Sequence, residues 1–415
     1  MIDYNKTVLE NGITLVTVKK PGKLFSLNLA VKVGSLQETL EEKGISHFIE
    51  HMLFKGTAFD DNVSLNSRIE HLGGDFNAYT DYISTVFSIS ALSEELENSL
   101  ALLRDMLLYP SFDGHELEKE KGVIISELRA SNDDAEETTH KNLYYNAYEK
   151  SPLKYDVIGS EETINSFTRD RLEAFHKAHY LPENTIVVLI SDSDHAEIRR
   201  LVETCFHSWK NGKVKPLSLK FEKNIPGRHT AYKDMEQSTL GILYSFSISE
   251  EEKLPLRVLN YKLGVSGNSI LFRELRENRG LAYDVYSDLE LTEKMQNLLI
   301  YTQVPDESID EAEELILKIL EEIKEGAYFH QEDLLIMKKV LKTSIYGTLD
   351  NIHDLSSFIL DELLNEEEPM AFQNDLDKLE NVTLEDIIAV SRKVFDGPTI
   401  YRLRGENDED HHDDQ

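Results

Sequence analysis

His47 and His51 stand four residues apart in the segment Gly44 to Thr57, GISHFIEHMLFKGT, with Glu50 one residue before the second histidine. Phe48, Ile49, Met52 and Leu53 give this segment an apolar face and Gly56 a plausible stop, so the spacing predicts a short helix. On such a helix both imidazoles lie on one side with nitrogens able to reach a common point, and Glu50 is on nearly the same side. The order HxxEH inverts the HExxH pattern of zinc-binding helices. Neutral imidazoles bind zinc well, and a catalytic zinc keeps one position open for water. A carboxylate that does not ligate can take the proton from that water, whose pKa the metal lowers. Glu50 suits the part of the base. Two histidines alone hold zinc poorly, so a third protein ligand must come from elsewhere in the fold. Glu120 and Glu127, seven residues apart on a predicted helix, project from one side two turns apart. One could ligate and the other support.

The elements that must position these residues are also legible. Val8 to Val18 reads as two β-prone runs around Asn11-Gly12, a hairpin signal. Alternation over Ser26 to Val33 predicts a strand with one buried face, and Asp75 to Thr80 with Ser84 to Ala91 a further pair. One helix opens at Ser93, carries Leu96, Leu100, Leu103 and Leu107 on one stripe and stops at Pro110. A second runs from about Gly114 to Ser131 and holds Glu120 and Glu127.

From Lys210 to Arg228 the chain turns lysine-rich and loses periodicity, which reads as a linker. Beyond it the order of elements repeats: strands over Ser238 to Phe246, Leu281 to Leu289 and Asn297 to Gln303, a helix from Asp306 to Gly326, and another from Gln331. Sliding this half back by about 217 positions puts Phe329 on Phe112, Leu334 on Leu117 and Lys338 on Lys121. The expectation is two duplicated α+β domains, each an antiparallel-rich sheet packed with helices. Residues 1–209 would form a zinc-binding domain, 210–228 the linker, 229–404 a noncatalytic homologue, and 405–415 (GENDEDHHDDQ) a disordered acidic tail. In the same alignment Ser344 replaces Glu127 and Met337 replaces Glu120, and no histidine occurs between His229 and His330. Only the first half can build the metal site.

These motifs resemble the pitrilysin family of inverzincins, in particular the mitochondrial processing peptidase branch and its short bacterial relatives, over nearly the whole chain. In that family HxxEH is followed by a downstream glutamate ligand with another glutamate seven positions before it. The resemblance implies one zinc per chain on His47, His51 and Glu127, Glu50 as base, and Glu120 as a group that orients a ligand. The segment Gly73 to Thr80, GGDFNAYT, is similar to the family's substrate-pairing strand edge, which implies Asn77, Ala78 and Thr80 as substrate-binding residues. Within Ser269 to Ser287, Arg276 and Tyr283 match the pair that holds the scissile carbonyl and stabilises the developing oxyanion. The glycine-rich stretch before it, Leu263 to Asn268, has fewer consecutive glycines than is usual there.

Composition sets the outer bounds. A chain of 415 residues with 40% hydrophobic and 29% charged residues is long enough for two folded domains. A net charge of -33 repels a phosphate backbone, so nucleic acid is not an expected partner, and the acid surplus reads either as a cavity that attracts basic peptides or as a solvated surface that keeps the protein soluble. Without an eighteen-residue apolar run, an export-type N-terminus or more than the single Cys205, the expectation is a cytoplasmic protein with no membrane partner. The expected activity is endoproteolysis of short or unfolded peptides in an enclosed chamber, and the resemblance implies a dimer, either homodimeric or with a related chain. The alternative is a noncatalytic or partner-dependent peptide-binding subunit of a heteromeric peptidase.

Overall fold

The computed structural model describes residues 2–214, 217 and 219–405. The first half opens with the hairpin β1 (Asp3–Val8) and β2 (Thr14–Lys19), antiparallel with Val8 opposite Thr14. Its turn contains Gly12 at φ +96°, a conformation glycine adopts without strain. Strands β3 (Leu24–Val31), β4 (Asp75–Thr80), β5 (Thr85–Leu92) and β6 (Thr185–Ser191) complete a six-stranded sheet in the order β1-β2-β6-β3-β5-β4. The second sheet has the order β7-β11-β8-β10-β9, built from β7 (Gly227–Lys233), β8 (Ser238–Ser245), β9 (Asp284–Leu291), β10 (Gln296–Val304) and β11 (Thr399–Gly405). The two orders superimpose strand for strand from β2 and β7 onward. Each contains one parallel pair, β2 with β6 and β7 with β11, among antiparallel neighbours.

The helices of the first half are α1 (Ile45–Leu53), α2 (Asn62–His71), α3 (Leu96–Leu108), α4 (Gly114–Asp133), α5 (Ala135–Ala147), α6 (Glu161–Ser166), α7 (Arg169–His179) and α8 (His195–Phe206). Those of the second are α9 (Glu250–Asn260), α10 (Ile309–Lys324), α11 (Gln331–Asp350), α12 (Ile352–Leu364), α13 (Phe372–Leu379) and α14 (Leu384–Val394). Helices α4 and α11 are both 20 residues long and begin at Gly114 and Gln331, which is the offset read from the sequence. None of the helices among the described residues is long and apolar enough to cross a membrane.

Compactness does not divide the chain at one cut in 210–228. One unit gathers Met1–Ala130, Asp156–Ser218 and Tyr346–Ala371; the other gathers Ser131–Tyr155, Leu219–Ile345 and Phe372–Gln415. The halves exchange one helix each. Helix α12 lies on β3 and β6 of the first sheet, where Ser356 Oγ is 2.6 Å from Ser26 Oγ and accepts from Asn28 Nδ2 at 3.0 Å. Helix α5 lies on β8 and β11, the counterparts of β3 and β6, with Thr139 hydrogen-bonded to Thr239. Each sheet thus presents buried polar side chains to which the exchanged helix hydrogen-bonds, which favours its register there.

The other face of each sheet carries the core. In the first unit Phe25, Leu27 and Leu29 of β3 pack with Leu100, Leu103 and Leu107 of α3. In the second, Leu240 and Ile242 of β8 pack with Ile316, Ile319 and Leu320 of α10. Two boundaries shift from expectation: Gly227 and Arg228 of the expected linker begin β7, and Gly405 ends β11. The remainder of the expected tail, 406–415, lies outside the described residues.

Candidate metal centre

Helix α1 is fixed to the core before it can hold anything. Phe48, Ile49, Met52 and Leu53 are wholly buried, and Phe48 meets Phe167 edge to face at 5.5 Å. Its N-cap, Gly44, sits at φ +95° against the backbone of Ile158 and Gly159, where any Cβ would come within 2.3 Å of the Ile158 carbonyl oxygen. Glycine brings no capping side chain, and the buried Glu38 supplies one from outside the helix. Its Oε2 accepts from Gly44 N at 3.0 Å and its Oε1 from Ser46 N at 2.8 Å. Burial outweighs these donors and the nearby Lys43 ammonium, and the Glu38 carboxyl is pushed up to about 7.

Just before α4 stands Asp113, whose carboxylate accepts from the backbone N–H groups of His115 and Glu116. Leu117, Ile124 and Leu128 bury one stripe, and Glu120 lies in the same stripe at 3% exposure. Glu127, two turns on, is half-buried.

The two helices bring His47, His51 and Glu127 together, with one donor atom from each within 4.8 Å of the others. His47 Nε2 is 3.6 Å from Glu127 Oε1, and His51 Nε2 is 3.5 Å from Glu127 Oε2. Ligands about 2.0–2.2 Å from a tetrahedral zinc lie roughly 3.4 Å from one another, so these three side chains fit that ion. Burial and the neighbouring His51 drop His47 to about 4, which keeps its imidazole in the neutral, metal-binding form. At His51 burial disfavours the imidazolium, but the carboxylates of Glu120, Glu127 and Glu50 outweigh it and raise its pKa. A cation is therefore favoured at this point.

Behind the cluster, His51 Nδ1 donates to Glu120 Oε1 at 2.8 Å, and Lys55 Nζ donates to Glu120 Oε2 at 2.9 Å. Burial alone would raise Glu120; its two donors outweigh it and hold the carboxyl below the usual range. Nδ1 of His47 is buried and meets no hydrogen-bond partner among the described residues, so the two histidines are not equally supported. Glu50 is buried beside the cluster, and Thr80 Oγ1 donates to its Oε2 at 2.6 Å. Burial raises the Glu50 pKa against the pull of Thr80 and His51, which makes its carboxylate a stronger base.

Strand β4 is one of the two edges of its sheet, with Asn77 exposed and Ala78 half-buried against the core. Gly74, just ahead of it, admits no side chain, since a Cβ would sit 2.2 Å from the Ser90 carbonyl oxygen. Arg276 and Tyr283 belong to the second unit and are paired there. The guanidinium donates to the Tyr283 carbonyl oxygen at 2.9 Å and stacks over the Tyr283 ring at 5.1 Å. Both side chains are exposed.

Sequence reasoning missed Lys55 and did not give Glu38 a role. A signal existed for each. A glutamate in an apolar helix stripe needs a cation as well as a histidine, and Lys55 follows His51 by one turn. A helix that begins on glycine needs an outside cap.

A duplicated α+β fold whose first half joins the two histidines of an HxxEH helix to a glutamate of a second helix defines the class, a metallopeptidase scaffold. Residues 14–161 match the domain described as Insulinase (Peptidase family M16), and residues 166–341 match the Peptidase M16 inactive domain. The chain is 30% identical to the "Uncharacterized zinc protease YmxG" of Bacillus subtilis, covering 93% of this chain and 94% of that one. It is 29% identical to an "Uncharacterized zinc protease" of Rickettsia felis over 98% of both. It belongs to peptidase family M16. Its fold is similar to the crystal structure of a protease from Helicobacter pylori, with a TM-score of 0.91, 22% identity and coverage of 97% and 99%. It is also similar to an M16 inactive-domain structure from Pseudomonas fluorescens, with a TM-score of 0.90, 20% identity and coverage of 98% and 99%.

Proposed function

We propose that this chain is a zinc-dependent endopeptidase that hydrolyses short or unfolded peptides. The convergence of His47, His51 and Glu127 beside the buried, non-converging carboxylate of Glu50 supports it. Zinc, when held by those three residues, acidifies water and polarises a carbonyl. Glu50 receives the proton of the attacking water and passes it to the leaving amine. Glu120, fixed by Lys55, holds the His51 ring so that Nε2 faces the ion. An extended peptide adds to the open edge of β4 along Asn77 and Ala78 as one more strand. Arg276 and Tyr283, paired in the second unit, serve the scissile carbonyl and the developing oxyanion. The surplus of negative charge favours basic peptides, and two chains, identical or related, enclose the reaction chamber.

The test is cleavage of a mixed library of unstructured peptides by the purified protein, wild type against Glu50→Gln, with zinc measured in both. Cleavage by the wild type alone, with zinc in both, supports the reading. Zinc in both without cleavage removes the endopeptidase assignment from the isolated chain and leaves a binding or partner-dependent subunit.

A further inference from the structure

Thr80 ends the edge strand β4, and the strand-edge reading of GGDFNAYT makes it a substrate contact. Its side chain is engaged elsewhere. The Thr80 hydroxyl is 2.6 Å from Glu50 Oε2, the length of an O–H···O bond to a charged carboxylate. A hydroxyl has one proton to give. The other oxygen near Thr80 Oγ1 is Thr85 Oγ1 at 3.4 Å, and that hydroxyl, wholly buried on β5, donates its own proton to the Val33 carbonyl oxygen at 2.9 Å. Thr80 and Thr85 are opposite each other in the β4–β5 register. With Thr85 committed to Val33, the single proton of Thr80 goes to one oxygen of Glu50. The carboxylate is held by that oxygen, and its orientation is set by the strand rather than by its own helix.

We infer that Thr80 is a positioning residue for Glu50 and not a substrate-binding one, an inference that rests on the peptidase reading given above. A peptide on the β4 edge and the base beside the metal would then be registered by one strand. That strand fixes the distance between scissile bond and base, and a misplacement of the order of 1 Å there costs about 10²-fold in rate.

The decisive comparison is Thr80→Val, which keeps the branched shape and removes the proton, against Thr80→Ser, which keeps the hydroxyl. Thr80→Val is expected to lower kcat by about 10- to 100-fold with KM unchanged and zinc retained, and Thr80→Ser to recover most of the loss. A raised KM at unchanged kcat makes Thr80 a substrate contact and overturns the inference. So does a folded Thr80→Ser as impaired as Thr80→Val, or a Thr80→Val with wild-type kinetics. A thermal-stability cycle between Thr80→Val and Glu50→Ala, which removes the acceptor, needs no activity at all. Non-additive melting shifts support the contact, and additive ones overturn it. A wild type that cleaves nothing defeats the peptidase reading without touching that cycle, so the two failures give different results.

Discussion

Glu120 and Met337 occupy the same place in two copies of one fold. Helices α4 and α11 have equal length and the same offset, and both residues are buried, at 3% and 5% exposure. Met337 joins the apolar core of its unit, as that position on the helix would lead one to expect. Glu120 is a carboxylate in an apolar stripe, which burial makes costly unless it is paired. His51 and Lys55 are the pairing. Two turns further, Glu127 faces two histidines, whereas no histidine occurs between His229 and His330 to stand opposite Ser344. The comparison teaches that the His–His–Glu cluster is an addition to a scaffold that stands without it. The second unit shows what the scaffold does when those positions are left to packing.

The sharpest way to break this view is to give the first unit the second unit's residue. Glu127→Ser is expected to abolish stoichiometric zinc and to lower peptide cleavage on the order of 10³-fold or more, with little change in melting temperature. Metal analysis beside thermal denaturation checks it. A variant that unfolds would mean that the ligand also supports the fold. The reverse exchange, Met337→Glu, puts a carboxylate in a core with neither His51 nor Lys55 beside it. It should destabilise the second unit by about 3–5 kcal/mol and bind no zinc.

The two units also differ in how they cap the α-helix that follows β3 in one copy and its counterpart β8 in the other. Helix α9 uses a local, exposed capping box in which Ser249 N donates to Glu252 Oε2 at 3.0 Å. Helix α1 uses the distant, buried Glu38. The shifts run in opposite directions. The Lys393 partner and the Ser249 donors hold Glu252 low, so its contribution is present above the ordinary carboxylate range and is lost on acidification. Burial raises Glu38 from 4.5 to about 7, so the folded state keeps a proton that the unfolded chain releases in between. Its contribution is full below pH 4.5 and is lost as pH rises towards 7, about 3 kcal/mol across the window. Glu38→Gln should flatten that decline in melting temperature against pH, and an unchanged slope would remove Glu38 as its source.

The strands and helices of both halves were legible because their alternation and stripes are local patterns. Asp75–Thr80 appears with the bounds expected of it, and the 217-residue offset recurs as the starts of α4 and α11. Helix spacing made two same-face pairs legible, His47 with His51 and Glu120 with Glu127, and the family resemblance implied that Glu127 is the one that joins the histidines. Strands β6, β7 and β11 were not, and neither was the exchange of α5 and α12. Parallel pairing and helix exchange depend on contacts hundreds of residues apart, such as Ser26 with Ser356, which leave no local period. Lys55 and the hydrogen bond from Thr80 were hidden for the same reason. Their partners, Glu120 and Glu50, lie on other elements.

The smallest expected effect probes the Glu120 network itself. Glu120→Met copies the second unit, removes the acceptor for His51 Nδ1 and leaves Lys55 without its carboxylate. Zinc affinity, read by competition with a chelator, should fall about 10- to 100-fold. Lys55→Met leaves the buried carboxylate with only its histidine donor and should weaken zinc by a smaller factor, about 10-fold or less, while lowering stability. The pair of changes together separates the two roles. An apolar replacement of both members of a buried ion pair is often neutral for stability, so the double variant should regain the melting temperature lost by Lys55→Met yet keep the weakened zinc binding of Glu120→Met. If the double variant also recovered zinc affinity, Glu120 would be a packing residue like Met337, and the difference between the two helices would carry no function.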